Sequence, residues 1–212
     1  MKKSFLFLVL MAVVVCSKAE QPPLLTPPHV EFKYYGFYGI VDYSFMTSFK
    51  NESGQYMNPS TGDVVYAVDK YTLSGITAIV GWQFRKETAL GIGFSYLNDP
   101  DGSFSQIPVF LEFRSHYMRS RLTPFSSFQL GYSIPFGSKN AIDDYTRIDE
   151  GGITMGLEGG LRFAISQKIA LNFYLGYQMI HNNSVERGFN SVAATRMSEL
   201  YHHFKCGLGV NF

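Results

Sequence analysis

The segment Leu200-Tyr201-His202-His203-Phe204-Lys205-Cys206-Gly207-Leu208-Gly209-Val210-Asn211-Phe212 decides how the rest of the chain is read. In an extended strand, successive side chains point to opposite faces. One face here carries Leu200, His202, Phe204, Cys206, Leu208, Val210 and Phe212, and the other Tyr201, His203, Lys205, Gly207, Gly209 and Asn211. The first is apolar and closes on an aromatic ring; the second is polar or bare glycine. Such a division suits a strand with lipid on one side and a lumen on the other.

The same period of two recurs upstream, with turn chemistry between the repeats. Strands are expected at 33–49, 70–84, 89–97, 107–117, 125–136, 152–166 and 169–181, which makes the closing segment the eighth. In the first, Tyr35, Phe37, Val41, Tyr43 and Phe45 oppose Asp42 and Ser44. In the sixth, Ile153, Met155, Leu157, Leu161, Phe163 and Ile165 oppose Thr154, Gly156, Glu158, Gly160 and Arg162. Phe110, in the fourth, points with the charges. Connections alternate in length: 50–69, 85–88, 98–106, 118–124, 137–151, 167–168 and 182–199. Long and short in turn is the signature of an up-and-down antiparallel barrel, with both ends of the barrel segment at the short-turn rim.

Parity does not say which face looks inward, and a soluble lipocalin-like barrel would share it. Volume separates the two. The interior of an eight-stranded barrel is just wide enough for side chains to fill, and eight rows of Phe, Tyr, Leu and Ile would overfill it. Glycines at 75, 81, 91, 93, 131, 156, 160, 176, 207 and 209 share the charged face, where a narrow lumen needs them. The apolar face therefore points outward, as a surface too extensive to remain soluble in water. Aromatics at both strand ends read as interface girdles: Tyr35, Trp82, Phe84, Phe125 and Phe212 at one rim, Tyr43, Phe45, Phe94, Tyr96 and Phe136 at the other.

Composition agrees. Among 212 residues, 16% are aromatic and 17% charged, below the roughly 25% charged of soluble domains. Mean hydropathy is close to zero, as alternation requires in a barrel. Residues 1–19 read as a secretory signal: Lys2 and Lys3, an apolar core from Phe5 to Val15, and Ser17-Lys18-Ala19 as a small-x-small cleavage site. Val15 before Cys16 is the wrong shape for lipoprotein cleavage. Removing the three signal lysines from 18 basic residues leaves the 17 acidic ones in slight excess, so no nucleic-acid partner is implied. A proline-rich lead-in follows at 20–32, in which His29 reads as solvated, and the barrel spans 33–212. Cys206 is then the sole cysteine and cannot form an internal disulfide.

Seven ionisable side chains are expected in the lumen: Asp42, Glu112, Arg114, His116, Glu158, Arg162 and Lys205. Charges in so small a space must pair, giving a rigid polar filling rather than an ion path. No catalytic, cofactor or metal residues are assigned. His202 and His203 are adjacent in a strand and point oppositely, so they do not chelate one ion.

The chain resembles the small eight-stranded outer-membrane barrels of Gram-negative bacteria, the OmpA/OmpX-like group with an outer membrane protein β-barrel domain, within the wider porin family. Phe204, Leu208, Val210 and Phe212 resemble the C-terminal signal read by the barrel-assembly machinery. The resemblance implies export through the general secretory pathway and residence in the bacterial outer membrane. It further implies contact with its lipid and lipopolysaccharide, and a non-enzymatic structural or surface role, with extracellular ligands met chiefly by segments 50–69 and 182–199. No cell-wall-binding domain is expected after Phe212. Two alternatives stand beside it. One is a narrow low-conductance pore. The other is a lipid A deacylase-like enzyme, since His181-Asn182-Asn183-Ser184 is similar to the His-x-Ser-Asn segment of such barrels. His181 is on the outward face by parity and Glu186 or Glu199 could orient it, but Asn183, two residues after it, is no nucleophile, and Ser184 falls on the other face if the strand continues.

Overall fold

A computed structural model describes residues 35–52, 56–57, 64–65, 72–85, 87–99, 105–118, 120–136, 139–142, 145–188 and 194–212. The expected signal segment and lead-in lie outside them. Eight strands wrap one axis: β1 (Gly36–Glu52), β2 (Thr72–Gln83), β3 (Thr88–Asn98), β4 (Ser105–His116), β5 (Leu122–Phe136), β6 (Tyr145–Ala164), β7 (Ala170–Gly188) and β8 (Ala194–Asn211). Each pairs antiparallel with the next, and β8 pairs with β1, so the described sheet closes on itself as an eight-stranded antiparallel barrel.

Closure is staggered. A line of partners starting at Ile40 runs through Ile79, Gly93, Phe110, Gly131, Thr154, Ile180 and Tyr201. It returns to β1 at Asn51, past an irregularity between Ser48 and Lys50. The strands are thus inclined to the axis, as closing a twisted sheet demands.

Alternation decides which side chain faces where. Phe37, Trp82, Ile92, Leu111, Leu157, Leu175 and Leu208 all face outward and are at least half exposed. Asp42, Ser44, Thr77, Gln129, Thr154 and Asn172 face inward and are buried. One ring departs from its expected place. Phe125 is 2% exposed and lies inside, not in an outer girdle. It shares parity with Ser127 and Gln129, so the pleat turns it toward the lumen.

The long connections also differ from expectation. Much of 137–151 and 182–199 is strand: Lys139–Ile142 pairs with the start of β6, and Asn183–Arg187 continues to pair with residues 194–198 of β8. The wall there rises past the last residue of β1, Glu52, which pairs with Leu200. Within 50–69 the described residues include a short pairing of Tyr56–Met57 with Val64–Val65.

The lumen is filled in layers. Tyr38, Ile40, Ile79, Ala89 and Phe110 cluster on the β1–β4 side. Met46, Leu73, Leu97 and Ile180 cluster near the long-loop end. Between and beside them lies the polar network. Three inward rings, Tyr38, Phe110 and Tyr174, use glycine sockets on other strands. A Cβ on Gly81 or Gly91 would stand 2.6 or 2.7 Å from Tyr38, and one on Gly93 2.5 Å from the Phe110 ring. Tyr174 sits between its register partners Gly160 and Gly207, and a Cβ on either would collide with it. Space explains the glycines here, not backbone freedom.

Candidate functional site: the filled lumen and the outer face

All seven expected lumen residues, Asp42, Glu112, Arg114, His116, Glu158, Arg162 and Lys205, are buried, at 6% exposure or less. They come from four strands, β1, β4, β6 and β8. On β4, the Arg114 guanidinium donates two bonds to Glu112, Nε to Oε1 at 2.9 Å and a terminal nitrogen to Oε2 at 3.1 Å. Two residues apart, they share a face, and the fork matches the carboxylate. Gln129 on β5 donates a further bond to Glu112 Oε2 at 3.0 Å. The Arg114 guanidinium lies 4.5 Å from the centre of the Phe125 ring, an attraction that accounts for an aromatic inside a polar layer.

A second group centres on Glu158. Lys205 Nζ donates to its Oε1 at 2.6 Å and Ser127 Oγ to its Oε2 at 2.9 Å. The Lys205 ammonium also stands 5.4 Å from the centre of the Tyr174 ring, whose hydroxyl donates to Asp42 Oδ1 at 2.8 Å. Ser127 is the register partner of both Arg114 and Glu158, so the two groups adjoin. Arg162 lies in register between Thr123 and Asn172. The His116 and Phe125 ring centres are 6.3 Å apart. Smaller pairs extend the network: Thr77 with Ser95 at 2.7 Å, Ser133 to Gln106 at 2.6 Å and Gln178 to Thr154 at 2.5 Å. Alternation could have nominated Ser127, Gln129 and Tyr174 as inward residues; it carries no sign of which carboxylate each would meet.

The alternative His181–Ser184 pair is not brought together. Ser184 faces inward and is 1% exposed. His181 instead places Nε2 2.7 Å from Ser198 Oγ on β8. Glu199, one of its suggested orienting acids, is buried on the other face and accepts from the Tyr201 hydroxyl. The side chain of Glu186, the other, lies outside the described residues. His202 faces outward and His203 inward, where it is fully buried. Among the described residues no group of three or more His, Cys, Asp or Glu is placed to hold a metal.

Phe204, Leu208, Val210 and Phe212 all point outward and are at least 40% exposed. Phe212 does more than end a strand. Its amide donates to the Gly39 carbonyl at 2.9 Å and its carbonyl accepts from the Gly39 amide at 2.8 Å. The ring lies over Gly39, where a Cβ would stand 2.5 Å from it.

Comparison with solved structures finds this fold in outer-membrane barrels. The outer membrane protein OprG from Pseudomonas aeruginosa is 14% identical with a TM-score of 0.60, over 85% of this chain and 98% of that one. Neisserial surface protein A is 12% identical with a TM-score of 0.53, over 84% and 97%. The outer membrane protein AlkL, whose structure was determined by solid-state NMR in DMPC lipid bilayers, is 15% identical with a TM-score of 0.54, over 91% and 96%. No protein-family model matches the chain. No curated protein matches it either.

Proposed function

We propose that the chain is a non-enzymatic transmembrane barrel of the bacterial outer membrane. On this reading a polar lumen holds the cylinder rigid, and the segments beyond the long-loop rim meet the cell's surroundings. The observation that carries it is the sidedness of the wall. Large apolar side chains point outward on every strand, while the lumen takes the buried charges. In water that outer face would far exceed the few hundred Å² of apolar patch a soluble monomer exposes. Acyl chains are the solvent it fits, and a closed barrel leaves no wall backbone unpaired in them. The likeness to a barrel studied in lipid bilayers supports the same setting.

Export through the general secretory pathway, insertion by the barrel-assembly machinery and contact with lipopolysaccharide belong to this proposal. The enzyme alternative loses its supporting constellation, because His181 and Ser184 face opposite sides of the wall. The deciding experiment is cell fractionation with gel electrophoresis before and after boiling. A barrel in the outer membrane migrates faster unboiled than boiled and co-fractionates with outer-membrane markers. A soluble fraction whose mobility boiling leaves unchanged would reject the proposal.

A further inference from the structure

We infer that the outward face of β7 and β8, at their long-loop half, docks the phosphorylated headgroup of a membrane lipid, an inference that rests on the membrane reading above. Toward the long-loop rim, the outward positions Phe49 on β1, Ile134 and Phe136 on β5, and Ile153 on β6 are apolar and exposed, while Thr72, Ser74, Asn98 and Ser105 on β2 to β4 are small and polar. On β7 and β8 the outward positions carry imidazole and phenol groups. Tyr177, His181, His202 and Ser198 project there, set side by side by the pairs Tyr177–Phe204, Met179–His202, His181–Leu200 and Asn183–Ser198. The result is a polar island framed by rings.

Its side chains are already organised. The Tyr177 hydroxyl lies 2.5 Å from His202 Nδ1, and their rings stack at 5.9 Å. Phe49 stands 6.2 Å from each ring. His202 Nε2 is buried with no hydrogen-bond partner, and in the tautomer in which the Tyr177 hydroxyl donates to Nδ1 it is this nitrogen that carries the proton. A buried N–H without an acceptor is costly. His181 and Ser198, joined at 2.7 Å, add hydroxyl and imidazole groups on the same face.

A barrel wall passes from acyl chains to headgroups where aromatics gather. The strongest acceptors in that layer are phosphate oxygens, which form charge-assisted bonds with N–H and O–H donors. The exposed Phe49 ring borders the island, beside both the Tyr177 and the His202 rings. Glu150 is exposed on β6 next to Gly151, the register partner of Asn183.

The probe is dihexanoylphosphatidic acid, titrated into the folded chain in dodecyl maltoside micelles while the imidazole nitrogen resonances of His181 and His202 are followed. Saturable shifts are expected. Replacing both residues, His181→Leu with His202→Phe, weakens binding at least about tenfold, read from backbone shifts of Ser198 and Leu200; that is the scale of one hydrogen bond to a charged group. Dihexanoylglycerol, with the same chains and no phosphate, gives no saturable shift. Equal binding of dihexanoylglycerol, unchanged affinity in the double variant, or no saturation at all would overturn the inference. Saturation by inorganic phosphate at the same concentration would also overturn it, by indicating a soluble-anion site. Retained heat-modifiable mobility keeps any of these failures distinct from failure of the membrane reading.

Discussion

At the scale of single residues, the Lys205–Glu158 pair shows how the lumen is held. Two buried ions at 2.6 Å need each other, because either alone would stay in a poorly solvating interior. Lys205→Met is expected to destabilise the barrel by about 3–5 kcal/mol, and adding Glu158→Gln to recover most of it. Urea unfolding in vesicles, followed by the fluorescence of Trp82, measures both. A double variant no better than the single one would show that pairing is not what the lysine supplies. Both residues were legible as inward from parity alone. Their partnership was not, since they are 47 positions apart and are brought level only by β7, whose Gly176 is the register partner of both. Phe125 was misread for a related reason: a ring near a strand end suggests a girdle, whereas its parity with Ser127 puts it inside, over Arg114.

At the scale of the strand, β8 combines a lipid-facing row with a lumen-facing row. Leu208 is half exposed on the outer row, midway between the Phe204 and Phe212 rings. In a bilayer, Leu208→Arg is expected to cost about 2–4 kcal/mol, and Phe212→Arg near the interface about 0–1 kcal/mol. Unfolding midpoints of the two variants in vesicles measure the difference, and equal effects would contradict a membrane depth profile. Strand identity was legible wherever lipid enforces alternation. The continuations of β7 and β8 past Asn182 and before Glu199 were hidden, because beyond the lipid no solvent demands an apolar row, and polar residues there read as loop. Their pairing follows from neighbouring strands already held in register.

For the whole molecule, the layered filling sets what can cross. Met46, Leu73, Leu97 and Ile180 are each at most 2% exposed and form an apolar cluster inside the barrel, apart from the charged network. An ion passing through would shed its water at the apolar cluster and break ion pairs in the charged network, both steps costing several kcal/mol. Purified barrel in planar bilayers is therefore expected to give no large, stable single-channel steps, and such steps would refute a closed lumen. The position of the polar layer was legible in the inward charges. The apolar cluster was not, because Met46 and Ile180 look like breaks in an otherwise polar row until the staggered strands bring them together.

The seam between Gly39 and Phe212 also has a meaning in time. During synthesis the first wall segment emerges long before its final neighbour, so it waits with one side open while nearly all of the chain is made. A chain lacking residues 194–212 would leave β1 and β7 without the strand that pairs with both, so it could not close the same cylinder. Closure therefore waits on the pairing of Phe212 with Gly39, the contact that joins the first wall segment to the final one.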